Sequence, residues 1–341
     1  RDATALFEAF KTGAVDFRFE SEPARWADGY QFAAVTDGRV KVETIETGLP
    51  AGMNALVFNT RRPVFADPNV RRGFIALFDF QWINGALYNG QFARTESFFA
   101  RSDLAFHGHT ATEQERAWLG AFDTKVKPAA LAGDLAQPDG NGTGRDRGRL
   151  REALSLFRKA GYVIKAGRLV KEDAPDQQLA FEFLALTKAQ ERLMLAYQTI
   201  LKRLGIEVTI RQVDNSQYWA RLKTFDFDMI QFRWSASLSP GNEQIGRWST
   251  KAADIEGALN FAGVRNAAAD AMINKLLAAR DRSDFTDAVR AFDRVLISGD
   301  YVVPLFHAPG LWLARWARVK RPDAKVLSGT DINTWWVANA Q

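Results

Sequence analysis

The sequence predicts an α/β fold with a doubly wound sheet. The first observation is a regular alternation after residue 150, where segments with apolar residues at helical spacing are each followed by a short apolar run. The second is that Gly161 and Gly205 follow two of the helical segments. Glycine commonly follows the last turn of a helix, so both positions indicate helix ends. Strand, long helix and strand in succession imply parallel pairing through right-handed crossovers.

Each element follows from its local pattern. Asp67 can cap a helix that Pro68 opens, and Ser283 is the expected cap of a later helix. Pro304 has no backbone N–H, so the last predicted strand lies at an edge or a crossing. The predicted helices cover residues 4–11, 26–30, 68–78, 82–88, 150–160, 193–204, 217–223, 267–280 and 285–297. The predicted strands cover residues 15–19, 39–46, 55–59, 179–186, 206–213, 227–234 and 301–307.

The whole-chain composition excludes several classes of protein. At 341 residues the chain suits two lobes. Its net charge of +5 is too small to indicate a nucleic-acid partner, and the basic stretch 145–151 has no interleaved aromatic residues. Cysteine is absent, which excludes disulfides and thiol chemistry. No run of about twenty apolar residues occurs, so we expect no membrane span.

The sequence offers little for catalysis. Its three histidines, with His107 and His109 far in sequence from His307, are too few for most metal sites, so we expect no metal and no cofactor. The HExxH, GxSxG and GxxxxGK(S/T) motifs do not occur. Asp226 and Asp228 could serve as general acid and base, although a structural or solvated pair is the simpler interpretation. We therefore expect that the chain is not an enzyme.

A loop rich in tryptophan and hydroxyl groups follows the predicted strand 227–234. Open α/β sheets bind ligands at the carboxyl ends of their strands, which is where this loop lies. Aromatic walls with a few hydroxyl and amide groups suit a solute held by oriented hydrogen bonds. Alternatively, Trp234 and Trp248 are packing residues, and for each alone the two interpretations weigh equally. The candidate ligand-binding residues are Arg233, Trp234, Ser235, Ser237, Asn242, Glu243 and Trp248.

The stretch 88–99 repeats this theme, because donors and acceptors stand between the apolar Phe92 and Phe98. The competing interpretation is a surface ion pair of Arg94 with Glu96, which would be of small energetic value. The further candidates for ligand binding are Tyr88, Arg94, Thr95, Glu96 and Ser97.

Six segments occur in an order that matches a known family. They are FNTRRPVFADPNVRRGFIALFDFQWIN at 58–84, LREALSLFRKAGY at 150–162, LKRLGIEVTI at 201–210, FDFDMIQFRW at 225–234, NFAGVRNAAADAMINKLLAARD at 260–281 and VVPLFHAPGLW at 302–312. Together they resemble bacterial extracellular solute-binding proteins of family 5, the oligopeptide- and dipeptide-binding components of ABC importers. YNGQFARTESFFARSDLA at 88–105 and RWSASLSPGNEQIGRWSTKAAD at 233–254 are most similar to the YejA-like group.

The resemblance implies a fold and a division of the chain. The fold is a periplasmic-binding-protein-like type II (cluster C) lobe with a mixed, mainly parallel sheet flanked by helices, plus part of a second lobe. Residues 1–52 would be a partial first lobe, 53–303 the second lobe, and 304–341 the return into the first. The crossings near Gly52 and Pro304 would then form the hinge.

The resemblance also implies a function. Family members capture a peptide or peptide-like ligand between two lobes in the periplasm and deliver it to the permease subunits of an ABC importer. The YejA-like group is linked to uptake of peptides, including peptide antibiotics and murein peptides. Such proteins have a long region before the equivalent of Ala3, so we expect this chain to be a C-terminal fragment, with the missing N-terminal part as a further partner.

One position departs from the family pattern. In many peptide binders an aspartate three residues after the tryptophan that ends the strand pairs with the amino terminus of the ligand, and here that position is Ser237. Glu243 could replace the aspartate, or the ligand end could be blocked or negatively charged. Arg94, Arg221 and Arg233 could bind ligand carboxylates through paired hydrogen bonds.

The interpretation we favour is capture of a solute without the breaking of a bond. The first alternative is a peptide- or glycan-processing hydrolase that uses a carboxylate pair. The second is a structural or chaperone-like module that uses the α/β lobe for protein contacts.

Overall fold

The computed structural model describes residues 2–122, 126–324 and 326–338, so the ends of the predicted segments 1–52 and 304–341 lie outside the described residues. The helices are α1 (Ala3–Lys11), α2 (Pro23–Asp28), α3 (Ala33–Thr36), α4 (Pro63–Ala66), α5 (Pro68–Leu77), α6 (Phe80–Tyr88), α7 (Glu113–Gly120), α8 (Pro128–Ala132), α9 (Arg147–Lys159), α10 (Lys188–Leu201), α11 (Asn215–Lys223), α12 (Glu243–Trp248), α13 (Ala267–Ala278) and α14 (Arg282–Ser298). Short 3₁₀ turns cover Lys202–Leu204, Lys251–Asp254 and Ile332–Thr334. The strands are β1 (Phe17–Glu20), β2 (Val40–Ile45), β3 (Met53–Phe58), β4 (Ala93–Arg94), β5 (Tyr162–Lys165), β6 (Arg168–Lys171), β7 (Ala180–Ala185), β8 (Glu207–Gln212), β9 (Met229–Trp234), β10 (Val302–Pro304), β11 (Phe306–His307), β12 (Leu311–Trp316), β13 (Val319–Lys320) and β14 (Trp336–Val337).

The chain forms two compact units. The first contains Arg1–Leu49, Asn84–Ala93 and His307–Gln341, and the second contains Pro50–Ile83 and Arg94–Phe306. Two of the boundaries fall close to the predicted crossings. The segment 84–93, which the sequence placed within 53–303, groups with the first unit. The assignment of the units as hinged lobes stays a prediction.

The first unit is built on a small antiparallel sheet in which β12 lies between β1 and β2. Sequence reasoning missed β12. The ring of Trp312 on this strand is stacked with that of Trp26 at a centroid distance of 5.7 Å and with that of Phe92 at 5.8 Å. The side chain of Asn84 fixes Phe92, because it donates to the carbonyl oxygen of Phe92 at 2.8 Å and accepts from its N–H at 3.2 Å. These contacts explain why 84–93 belongs to this unit.

The second unit is built on a five-stranded sheet of order β10-β3-β9-β7-β8. Strand β7 is parallel to β8 and β9, whereas β3 is antiparallel to β9 and β10. The sheet is therefore mixed, as predicted, but parallel and antiparallel pairings are equally frequent, so it is not mainly parallel. The prediction that Pro304 lies at an edge is confirmed, because β10 is an edge strand.

Capping side chains set the helix ends. Asp67 accepts a hydrogen bond from the N–H of Asn69 at the start of α5, as predicted. The prediction of Ser283 as a cap is wrong. Asp281 caps α14, since its carboxylate accepts from the N–H of Asp284 at 2.9 Å and thereby places Ser283 in the first turn. Across the described ranges, no helix combines the length and apolar character that crossing a membrane requires.

Candidate functional site

The last residue of β9 is Trp234, which lies in the core of the second unit. Its indole N–H donates to the carbonyl oxygen of Leu259 at 3.2 Å, and its ring lies against Trp248 with centroids 4.6 Å apart. Only 3% of Trp234 and 2% of Trp248 is exposed. This environment matches the alternative in which the two tryptophans are packing residues. The loop that follows β9 therefore starts from a buried tryptophan.

A cavity of about 10 Å³ adjoins the two tryptophans. It is lined by Phe98, Phe99, Trp234, Ser235, Ala236, Gln244, Arg247, Trp248, Phe292 and Leu296. A single water molecule needs about 10–15 Å³ by this measure, so no peptide side chain fits here. This cavity therefore cannot hold a larger solute, whereas the polar side chains of the following loop are accessible.

The loop 235–242, together with the first residue of α12, presents polar side chains to solvent. Ser235, Ser237, Asn242 and Glu243 are all exposed. The hydroxyl oxygen of Ser237 accepts from the N–H of Ser239 at 3.2 Å. The carboxylate of Glu243 accepts from the N–H of Gly241 at 3.0 Å and from the side-chain amide of Gln244 at 3.0 Å. The loop is thus ordered by its own hydrogen bonds while its side chains stay accessible.

Gly52 supports the base of this loop. Its φ of +70° lies in the left-handed region, which favours glycine. A Cβ atom on Gly52 would clash with the carbonyl oxygen of Trp234 and would lie 3.2 Å from the backbone nitrogen of Ala236. Only glycine permits the chain before β3 to approach the end of β9 so closely.

The candidates in the stretch 88–97 do not form one cluster. Tyr88 belongs to the first unit, where its ring lies 5.1 Å from that of Phe92. Arg94 belongs to the second unit, and 6% of its side chain is exposed. Its guanidinium donates to the carbonyl oxygens of Pro304 and Leu305, and burial lowers its pKa to about 10. These contacts give Arg94 the environment of a structural residue.

The next three candidates also make internal contacts. Thr95 is fully buried, and its N–H donates to the carbonyl oxygen of Leu305 at 3.2 Å. Glu96 lies 3.2 Å from Nε2 of His107 and accepts from the backbone N–H of Gln137 at 3.3 Å. The partner of Glu96 is therefore a histidine rather than Arg94.

Ser97 leads to a buried carboxylate that sequence reasoning missed. Its hydroxyl donates to Oδ2 of Asp293 at 2.5 Å, and the carboxylate also accepts from the N–H groups of Phe98 and Phe106 at 2.9 and 3.1 Å. Burial raises the pKa of Asp293 to about 6, although these hydrogen bonds oppose the shift. No sequence signal marks Asp293, because its partners lie almost 200 residues away.

The acidic pair 226 and 228 precedes β9 and is held by an arginine. Nη2 of Arg62 lies 2.7 Å from Oδ1 of Asp226, and Nε lies 3.3 Å from Oδ1 of Asp228. Arg221 completes the network through Glu182 at 2.8 Å and Asp226 at 3.2 Å. The guanidinium of Arg221 is thus occupied by carboxylates of its own unit. Among the residues that the structure describes, no group of three His, Cys, Asp or Glu side chains could hold a metal ion.

The mixed α/β sheet, with an exposed polar loop at the end of β9, is the architecture of a type II periplasmic-binding-protein-like fold. The sequence model of the bacterial extracellular solute-binding proteins, family 5 Middle, matches residues 1–255. The chain therefore belongs to family 5 of the bacterial extracellular solute-binding proteins.

Curated relatives cover nearly the whole chain. A Brucella suis protein named as a binding protein is 48% identical over 98% of this chain and 54% of its own length. The peptidoglycan-binding protein YepA of Agrobacterium fabrum is 43% identical over 99% of this chain and 56% of its own. A protein of the same organism named as peptide-binding, YejA, is 39% identical over 99% and 55%. The chain thus spans about half the length of the curated relatives it matches.

Solved structures share the fold. The oligopeptide-binding protein AppA of Bacillus subtilis, in complex with a nonapeptide, matches with a TM-score of 0.65 and 18% identity over 99% of this chain and 59% of AppA. NikA of Brucella suis, in complex with Fe(III)-EDTA, matches with a TM-score of 0.68 and 19% identity over 99% and 60%. At this identity the likeness establishes the fold alone.

Proposed function

We propose that the chain is part of the periplasmic substrate-binding component of an ABC importer. In this proposal the protein captures peptides or peptide-like solutes between two lobes and delivers them to membrane permease subunits. Membership of the solute-binding family is the observation that carries it. Capture follows from closure of the lobes around the ligand, and no bond of the ligand is broken.

The names of the relatives support a peptide-like ligand. YepA is named for peptidoglycan and YejA for peptides, at 43% and 39% identity. Both kinds of ligand contain short peptides with amide, amine and carboxylate groups. Exposed hydroxyl, amide and carboxylate side chains can bind such groups through oriented hydrogen bonds.

The proposed ligand surface of the second unit is the exposed part of the loop. Ser235, Ser237, Asn242 and Glu243 would contact the ligand, whereas the buried tryptophans would hold the loop in place. A loop that is already ordered loses less conformational entropy on binding, which favours affinity.

Glu243 provides a direct test of this surface. We expect the intact protein to bind trialanine in a calorimetric titration, and Glu243→Gln to weaken binding by about tenfold or more because a charged hydrogen bond to the ligand amine is lost. Acetylated trialanine should bind wild type and variant alike. The exposed Glu256 supplies the control Glu256→Gln, which should bind as wild type does. Equal affinity of Glu243→Gln and wild type for trialanine would exclude Glu243 as the amine partner.

The hydrolase alternative is less well supported. A general base must come within hydrogen-bond reach of the substrate proton, whereas Asp226 and Asp228 are both engaged by Arg62. Incubation of the intact protein with labelled peptides, followed by mass analysis, separates the two functions. Unchanged peptide masses agree with capture, and turnover would contradict it.

A further inference from the structure

The loop before α9 contains one of the three Asn–Gly dipeptides of the chain, which lie at 84–85, 89–90 and 141–142. In an Asn–Gly dipeptide the backbone nitrogen of the glycine can attack Cγ of the asparagine, since glycine has no side chain to hinder the approach. The imide ring that forms is opened by water to aspartate or isoaspartate, a reaction known as deamidation. Its rate at each dipeptide depends on the groups that surround the dipeptide in the folded chain.

The side-chain carbonyl of Asn141 is polarised by Thr143. Its Oδ1 accepts from the backbone N–H of Thr143 at 3.2 Å and from the hydroxyl of Thr143 at 2.6 Å. That hydroxyl oxygen accepts in turn from the N–H of Arg145 at 3.0 Å, which leaves its own hydrogen for Asn141. Negative charge develops on Oδ1 when a nucleophile adds to Cγ, and donors placed at such an oxygen stabilise the transition state.

A carboxylate contacts the attacking nitrogen. The N–H of Gly142 donates to Oδ1 of Asp79 at 3.2 Å. Asp79 is only 4% exposed, and its carboxylate is held in place by the N–H groups of Trp82 and Gly144, which donate to Oδ1 and Oδ2 at 3.0 and 2.8 Å. A general base must lie within hydrogen-bond reach of the proton that it removes, and Asp79 meets this condition.

The other two dipeptides have different surroundings. The N–H of Gly90 donates to the backbone carbonyl oxygen of Asn84 at 3.0 Å, and a carbonyl oxygen is a far weaker base than a carboxylate. The side-chain nitrogen of Asn89 donates to Asp28 at 2.9 Å, a contact that does not polarise the carbonyl. Asn84 is buried, and both ends of its side-chain amide are bound to the backbone of Phe92. We therefore expect the dipeptide at 141–142 to react fastest.

We propose that Asn141 is a site of spontaneous deamidation, which Asp79 and Thr143 promote. Asp79 removes the proton from the nitrogen of Gly142, the bond from this nitrogen to Cγ forms, and the bond from Cγ to Nδ2 breaks as ammonia leaves with that proton. Water then adds to one carbonyl of the imide, and Asn141 is exposed to it. Because the imide nitrogen carries no hydrogen, Asp79 loses the Gly142 donor while the ring is closed. The reaction needs no ligand and thus goes beyond the proposed function.

Incubation of the intact protein in mildly alkaline buffer tests the inference. Digestion and mass spectrometry measure each conversion through the mass gained when an amide becomes an acid. In the folded protein, position 141 should lose its amide about tenfold faster than position 89. In guanidinium chloride the difference should largely disappear, because the local sequence alone then sets both rates. The proposal is overturned if position 141 reacts no faster than position 89 in the folded protein, or if the difference persists unchanged in the unfolded chain.

Two variants assign the acceleration to its groups. Thr143→Val removes the hydroxyl and Asp79→Asn removes the base, so each should slow deamidation at position 141 by about tenfold and leave position 89 unchanged. The matched control is Thr199→Val, which removes an exposed hydroxyl that donates to the carbonyl oxygen of Leu195 within α10. It should leave both rates unchanged.

Thermal unfolding shows whether each variant folds as wild type does. If Asp79→Asn does not fold, Thr143→Val decides alone, since Thr143 is exposed and its replacement removes no buried group. A rate at position 141 equal to that of wild type, in Thr143→Val or in folded Asp79→Asn, would contradict the proposal.

Discussion

Arg94 and Arg233 have the same side chain and opposite environments. Arg94 is buried, donates to two backbone carbonyls and lies 5.0 Å from the ring centroid of Phe78. Arg233 is exposed and binds one carbonyl. A buried cation is held by the groups around it, whereas an exposed one can exchange water for a ligand. Burial therefore assigns Arg94 to the support of the chain near Pro304 and leaves Arg233 accessible.

Burial also changes the behaviour of an acidic side chain, that of Asp293. The unfolded chain has an aspartate pKa of about 3.9. Because burial raises the pKa of Asp293 to about 6 in the folded protein, the folded form holds this proton more tightly. Ionisation of Asp293 should therefore lower the free energy of unfolding as the pH rises from about 4 to about 6.

Replacement of Asp293 tests this pH dependence. Relative to Asp293→Asn, wild type should lose up to about 3 kcal/mol of stability between pH 4 and pH 7, since each pKa unit corresponds to about 1.4 kcal/mol. Urea unfolding of both proteins across this range measures the difference. Asp287→Asn is the control on the same helix, because Asp287 is only partly buried and accepts from the hydroxyl of Thr112. An identical pH dependence of wild type and Asp293→Asn would contradict the assignment.

At the scale of elements, the strands and helices of the second unit were the easiest to predict. Strands β7, β8 and β9 lie within predicted strands, because their apolar runs are local signals. The hairpin β5–β6 and strand β12 were missed. For β12 the structure depends on pairing with β1 and β2, which are remote in sequence.

The same contrast between local signals and contacts remote in sequence applies to the candidate site. Its polar loop could be located because it follows a strand, whereas the burial of Trp234 and Trp248 depends on residues such as Phe98 and Phe261 from other parts of the chain.

Gly52 provides the test at this scale. Gly52→Ala should cost about 1–3 kcal/mol more than Gly167→Ala, because overpacking adds to the backbone strain. Gly167 is a matched control, since its φ is +75° and a Cβ atom there would meet nothing within 4 Å. Urea unfolding of the two variants gives the comparison. Equal losses of stability would show that the contact with Trp234 is not restrictive.

At the scale of the whole molecule, the two units have unequal cores. A buried apolar cluster of the first unit contains Phe7, Phe10, Tyr30 and a few neighbours on α3, β2 and β12. The main cluster of the second unit extends from Met53 to Val302 and includes the buried apolar faces of α13 and α14. Stability contributed by apolar burial scales with the area removed from water, so the second unit should be the more stable.

Amide hydrogen exchange of the 341-residue chain tests this difference. Amides in β2 and β12 should exchange at least about tenfold faster than those in β3 and β9, because local opening is easier where fewer apolar contacts are lost. Mass spectrometry of peptides from the four strands gives the rates. Equal protection would show that the smaller core is as stable as the larger one.

The central position of β12 has a consequence for the order of events during synthesis. Strands β1 and β2 emerge from the ribosome long before β12, yet they share no ladder with each other, and each is paired with β12. The backbone N–H and C=O groups of residues 40–45 therefore have no partners in the sheet until residues 311–316 have been synthesised. During that interval both strands are open edges, which other chains can pair with. The nascent chain thus carries both strands without a sheet partner until β12 has been synthesised, and a chaperone would be needed during that interval.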